Sequence, residues 1–227
     1  MLKKHPALKA PRKRVSSASP GTRDRIIDVA ERLFSEYGLS GVSLRHIADE
    51  AKANNASLHY HFRSREELFE AVFTRRATVI AQRRLQLLDQ AYDANGKPIL
   101  SKVIGAFLEP GMKFGPDKVF MKLRARVAAE DSAFVQDLLS TCFNESSKQA
   151  LDMLRQACPH LSEKDLVWRF QIMLGSMFYT IADTGRVEVL SNGSLGVSNT
   201  DDTLNYLVAF FTASFSMPSV IQADATR

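Results

Sequence analysis

Between Ser43 and Phe62 the side chains able to hydrogen-bond a nucleic acid recur along one short helical stretch. Asn55, Ser57, His59, Tyr60 and His61 form its outer face, with Asn54 and Ala56 at its start. Asn and Ser can bond base edges, and Tyr and His can reach phosphate oxygens without a large desolvation cost. Leu58 and Phe62 fall on the opposite side and can anchor the helix. Just upstream, Leu44, Ile47, Ala48 and Ala51 supply the inner face of another short helix capped by Ser43, and Lys52-Ala53-Asn54 breaks the two apart. Two short helices, a tight turn and a polar outer face are what a helix-turn-helix needs to lay one helix in a major groove. The expected DNA contacts are Ser43, Arg45, Asn54, Asn55, Ala56, Ser57, His59, Tyr60, His61 and Arg65. The His59/His61 spacing does not put two ligands on one helix face. No cysteine or third histidine stands beside them, so neither a metal nor another cofactor is expected.

The charge points to the same end of the chain. Residues 1–76 hold 15 Lys+Arg against 9 Asp+Glu, whereas the remaining residues hold 15 against 16. The whole excess behind the net charge of +5 therefore lies in the first third. Clustered cations attract phosphates and release counterions, so a polyanion partner fits, a solubilising basic tail being the alternative. Residues 1–21 carry Lys3, Lys4, Lys9, Arg12, Lys13 and Arg14 among prolines and serines with no apolar period, which reads as a disordered basic arm. Cys142 and Cys158 make neither a disulfide framework nor a metal motif. No apolar stretch follows the basic start, and Phe170–Ala182 is too short to span a bilayer. A soluble, cytoplasmic protein with no membrane partner is expected.

The elements that must position the polar face are helical. Thr22 is a candidate N-cap for a first helix whose Ile26, Val29, Ala30, Leu33, Phe34 and Tyr37 recur at helical spacing, and Gly38 is its expected stop. Ser64 and Glu67 form a capping box for a fourth helix running to about residue 90. Beyond a turn at Asn95-Gly96-Lys97-Pro98, only helices are expected: residues 99–109, 117–131, 132–157, 162–188 and 200–216, with a loop at 191–199. The fold class is all-α. Its expected division is an arm (1–21), a three-helix DNA-binding head (22–73), a helical domain (74–217) and a loose tail (218–227).

The stretch from Arg23 to Phe73 resembles the DNA-binding domain of the TetR/AcrR family of bacterial helix-turn-helix regulators. Ala30, Leu33, Phe34 and Gly38 match its first helix, Ser43 with Ile47 and Ala48 its second, and His59-Tyr60-His61-Phe62 followed by Ser64-Arg65-Glu66-Glu67-Leu68 its third and the run after it. Two departures stand out. Lys52-Ala53 replaces the usual Gly-Val in the turn, where Lys lacks the freedom of Gly for positive φ. His59 stands where Tyr is frequent.

The resemblance implies that the rest of the chain is a helical ligand-binding and dimerisation domain. It implies a homodimer on a double-stranded DNA operator, most simply a repressor released by a small hydrophobic effector. Phe107-Leu108-Glu109-Pro110, Arg126 and the Trp168–Ala182 stretch look similar to a subgroup that senses fatty-acyl or related effectors. Candidate pocket residues are Phe107, Met112, Phe120, Arg124, Phe134, Leu138, Phe143, Trp168, Met173 and Phe178, with Phe114 and Met121 nearby. Aromatic and Met side chains make adaptable apolar walls, although each taken singly fits ordinary core better than a pocket. Arg124 is the candidate partner for an acidic head group; the alternatives are a solvated Arg124 or one paired with Glu130 or Asp131. The expected dimer seam is Gly175, Tyr179, Ala182, Leu207, Phe210, Phe211 and Ser214. The chain has no nucleophile elbow, phosphate loop, dinucleotide fingerprint or zinc spacing, so a regulator rather than an enzyme is expected. A DNA-binding scaffold without a ligand stays open.

Overall fold

The computed structural model describes residues 20–113, 119–127, 132–182, 185–196 and 200–219, with the side chains of Pro20 and Met121 excepted. The basic arm, Phe114, Glu130 and Asp131, and most of the C-terminal tail lie outside the described residues. Among those described there are ten helices and no strand: α1 Pro20–Tyr37, α2 Leu44–Glu50, α3 Asn55–His61, α4 Arg65–Leu88, α5 Leu100–Met112, α6 Val119–Val127, α7 Ala133–Ala157, α8 Glu163–Ala182, α9 Arg186–Leu190 and α10 Thr200–Ser216.

The helix boundaries follow local chemistry. α1 begins at Pro20, two residues before the expected Thr22 cap, because proline's fixed φ and missing N–H suit the first helical position. It ends at Gly38, whose φ of 75° lets its N–H reach back to the Phe34 carbonyl at 2.9 Å. Ser64 caps α4 as expected, its Oγ accepting the Glu67 N–H at 3.0 Å, while the Glu67 carboxylate reaches back one residue past the cap to accept the Arg63 N–H at 2.8 Å. α5 does not stop before Pro110 but runs through it to Met112. The expected 162–188 helix ends at Ala182; Gly185, at φ 69°, opens the separate short α9.

α4 joins the two halves. Leu68, Phe69, Val72 and Phe73 near its start pack under α1, while Ala77, Ile80, Arg84 and Leu88 are buried against α5 and α7. The expected boundary at residues 73/74 therefore falls inside one continuous helix. α6 lies against both α1 and α8, and α10 packs on α5 and α8. One contiguous apolar core results, reaching from Ile26 to Phe215. None of the described helices is long and apolar enough to cross a membrane.

Candidate functional site

The head holds α2 and α3 at a tight turn built by a Schellman motif. Lys52 adopts φ 50°, its N–H bonds the Asp49 carbonyl at 3.1 Å, and the Ala53 N–H bonds the Ala48 carbonyl at 2.9 Å. The turn keeps the left-handed geometry even though lysine stands where glycine would be easier. Arg25 on α1 then donates from Nε to the Ala51 carbonyl at 2.8 Å, satisfying an orphan acceptor at the end of α2. Asn54 is the N-cap of α3, its Oδ1 accepting the Ser57 N–H at 2.6 Å. Ser43 caps α2 in the same way, through the His46 N–H at 3.1 Å.

Buried Leu58 and Phe62 anchor α3 and leave Asn55, Ala56, His59 and Tyr60 exposed, Tyr60 at 72%. Ser57 is half-buried, and Arg45 lies open on α2 beside Asp49 at 4.0 Å. His61 is not on the open face: its Nε2 is buried and its ring sits 5.2 Å from Tyr60 and 6.2 Å from Phe62. It lies three residues from Leu58 and so shares the inward side of the helix. Arg65 is partly buried beside Glu66 at 3.4 Å. Among the described residues no group of His, Cys, Asp and Glu is placed to hold a metal ion.

A row of rings leads from the head into the helical domain. Phe34 on α1 lies 5.1 Å from Phe69, Phe69 stacks 6.1 Å from Phe73, and Phe73 meets Phe143 on α7 at 6.1 Å. Phe73 also meets Phe120 at 5.3 Å, and Phe69 meets half-buried Phe134 at 6.3 Å. Met112, Leu138 and Met173 are buried in the same core, and Phe107 packs on Phe170 at 4.9 Å.

Arg124 is buried, which removes the solvated alternative. Its Cζ stands 3.9 Å from the centre of the Phe143 ring and 4.9 Å from that of half-buried Phe178. Beside it lies Arg84, which sequence reasoning missed. It is fully buried, its Nε donates to the Phe107 carbonyl at 2.8 Å, and its Cζ is 3.9 Å from the Phe107 ring. A signal was present, because Arg84 continues the buried stripe of Ile80 and Leu88 at helical spacing. Burial and the neighbouring Arg124 together push the Arg84 guanidinium well below its ordinary pKa; burial alone pushes Arg124 down to about 9.

Trp168 does not line this core. It is 60% exposed, on the side of α8 opposite the buried stripe of Leu166, Phe170, Met173, Met177 and Ile181. It begins a second, outward stripe with Ile172, Gly175 and Tyr179, all exposed. α10 presents a matching stripe of Tyr206, Phe210 and Ala213, continued by Met217 just beyond its end. Phe211, assigned to the seam, is instead only 1% exposed within its own subunit. Leu207, Ser214 and Ala182 are half-buried at the edges.

Comparison with known proteins agrees with this geometry. Residues 26–72 match the bacterial regulatory proteins of the tetR family, and residues 105–214 match the tetracyclin repressor-like C-terminal domain. The chain belongs to the TetR family. Among its TetR relatives, the HTH-type transcriptional repressor KstR2 of Mycolicibacterium smegmatis is 28% identical over 154 residues, covering 65% of this chain and 73% of that protein. A TetR-family regulator from Bordetella parapertussis superposes with a TM-score of 0.64 at 18% identity, over 85% of this chain and 95% of its own. The fatty acid degradation regulator FadR from Bacillus halodurans superposes with a TM-score of 0.59 at 13% identity, over 86% and 96%. At these identities the two structures speak for a shared TetR fold. This TetR-family chain is thus a DNA-binding helix-turn-helix transcriptional regulator.

Proposed function

We propose that the protein is a repressor that binds its operator as a homodimer and is released by a small hydrophobic effector held in the helical domain. Two recognition helices α3, one from each subunit, read successive major grooves through Asn55, Ser57, His59 and Tyr60. Ser43, Arg45, Asn54, Ala56 and Arg65 lie against the phosphates, and the basic arm adds sequence-independent attraction. The work is done in the cytoplasm, where the DNA is.

The observation that carries this reading is the row of contacts Phe34–Phe69–Phe73–Phe143–Arg124. Rings in close contact cannot shift independently, because interiors pack at crystal-like density. An effector that displaces Phe143 therefore acts on α4 and through it on the angle of α1. The ligand-bound subunit then favours a separation of the two heads that no longer matches the operator, and affinity falls by the difference in binding between the two states.

The test begins with selection of a binding site from a random double-stranded DNA pool, followed by anisotropy titration of the recovered duplex. Specific binding by a dimer, weakened by apolar small molecules that also raise the melting temperature, is the expected result. Specific binding that no stabilising small molecule weakens would leave a ligand-independent DNA-binding protein in its place.

A further inference from the structure

Arg84 and Arg124 place two guanidinium groups where a cation is costly. They are 0% and 4% exposed, and Arg84 Nη1 and Nη2 and Arg124 Nε and Nη1 are buried without a hydrogen-bond partner among the described residues. Both guanidinia converge on one ring: the Cζ of Arg124 lies 3.9 Å and that of Arg84 5.6 Å from the centre of Phe143. Ring faces offset part of the burial of a cation but satisfy none of its N–H groups. The one bond Arg84 does make fixes its direction. Pro110 has no N–H for the Ala106 carbonyl, and one carbonyl further along α5, that of Phe107, takes the Arg84 Nε–H at 2.8 Å. The bond to Phe107 uses only Nε and leaves the outer fork of Nη1 and Nη2 without a hydrogen-bond partner among the described residues.

The neighbouring thiol does not supply the missing charge. Cys142 is half-buried and its desolvation raises the thiol pKa, so it stands neutral at ordinary pH. Arg124, at about 9, stays largely protonated there. Two like charges held together in an apolar core, with no hydrogen-bonded counter-ion among the described residues, are unfavourable, and their arrangement makes sense when an anion completes it. Guanidinium forks match the planar oxygens of a carboxylate or the oxygens of a phosphate.

We infer that Arg84 and Arg124 form the head-group site for an amphiphile with an anionic oxygen head and an apolar body, its body lying among Phe107, Phe143 and Phe178. This rests on the reading of the helical domain as effector-binding and adds the chemical class of the ligand. The carboxylate and phosphate forms share the same recognition, and the test separates them.

The full-length protein is melted with decanoate, decyl phosphate or 1-decanol, each below its micelle concentration. A rise in Tm of roughly 5–10 °C is expected from a charged probe at a hundredfold excess over its Kd. The neutral alcohol of the same length is expected to give little. Whichever charged probe acts at the lower concentration identifies the head group. Arg84→Met and Arg124→Met are expected to weaken that probe roughly 10- to 100-fold, while leaving the ligand-free Tm unchanged or higher. Should either Met variant fail to fold, Arg124→Lys keeps a charge without the planar fork and is expected to bind the probe more weakly. The inference is overturned if neither charged probe raises Tm, if decanol matches them, or if the shift survives in both Met variants. It is overturned equally if Glu130→Gln or Asp131→Asn lowers Tm in the wild type but not beside Arg124→Met, since the counter-ion is then the chain's own. Operator anisotropy run alongside keeps the two readings apart. Release by decanol alone sinks the anion site and spares the effector; a charged probe that raises Tm without release spares the site and sinks the effector's role.

Discussion

Glu31 on α1 grips Arg76 on α4 with both carboxylate oxygens, Oε1 and Oε2 accepting the Arg76 Nε–H at 2.9 and 3.1 Å. Arg75 reaches the same carboxylate at 2.8 Å and also Asp28 at 2.8 Å. The Glu31 side chain is nearly buried, whereas its two partners are about a third exposed. The group therefore ties the DNA-binding head to the connecting helix at the level where the ring row crosses it. Glu31→Gln keeps the shape and removes the charge from beneath two guanidinia. It should destabilise the protein by about 1–3 kcal/mol, below the range for a fully buried pair because the arginines can turn to water. Urea unfolding measures this, and a loss under about 0.5 kcal/mol would mean that the pairing holds nothing together.

Lys52 is the residue to relieve in the turn. A left-handed φ of 50° costs a side-chain-bearing residue about 1–2 kcal/mol, and glycine returns part of that gain through its larger entropy in the unfolded chain. Lys52→Gly should therefore stabilise by about 0.5–1 kcal/mol and raise Tm by roughly 1–4 °C. Lys52→Ala keeps the Cβ and should bring no gain. Equal melting of the two variants would show that backbone strain is not the deciding effect at this position.

Tyr60 and Asn55 test the outer face of α3. Both are exposed, and the one ring contact of Tyr60 among the described residues is with neighbouring His61. Tyr60→Ala combined with Asn55→Ala should weaken operator binding roughly 10- to 100-fold while leaving Tm within about 2 °C. Asn54→Ala behaves differently, because it also removes a cap whose loss costs about 1 kcal/mol. Unchanged anisotropy with the double variant would place the DNA on another surface.

How far the sequence led depended on how local each cause was. The head was legible because its signals act within one turn: Ser43, Asn54 and Ser64 cap the helices that follow them, Gly38 stops α1, and the α2–α3 turn sits where the break was expected. The helical domain was less so. α8 is apolar on two sides, so spacing alone did not reveal that Trp168 faces out while Phe170 faces in. Left-handed Gly185 is the N-cap of the separate α9 inside what reads as one long helix. Arg84 reads as surface by residue type, and only its place in the Ile80–Leu88 stripe marks it as buried. His61 shows the converse, a polar residue taken for an open one because two neighbours are open. Charge burial and the choice between two apolar faces are set by tertiary packing, which no window of sequence contains.

Phe210 and Phe211 decide the dimer surface. They are adjacent on α10 with ring centres 5.1 Å apart, yet Phe210 is 65% exposed and Phe211 is buried. Successive helical residues are turned by about 100°, which lets Phe211 face the core while Phe210 faces out. Placing a charge at Phe211 therefore attacks the subunit itself and is expected to unfold it, since an unpaired buried charge is very costly. Phe210→Glu attacks the outward stripes of α8 and α10, where Trp168, Ile172, Tyr179, Tyr206 and Phe210 stand exposed at helical spacing, as on an interaction surface. An obligate interface there would cover on the order of 2,000 Å² or more. Wild-type protein is expected to sediment as a dimer at micromolar concentration, and Phe210→Glu as a monomer with its helical circular dichroism retained. The chain's single tryptophan gives an independent reading, because Trp168 lies on the same outward stripe. Its emission should be that of a covered indole in the wild type and shift to the red when Phe210→Glu parts the subunits. A wild-type protein that sediments as a monomer with solvent-exposed tryptophan emission would remove this face from the interface, and Phe211 would keep its place in the core regardless.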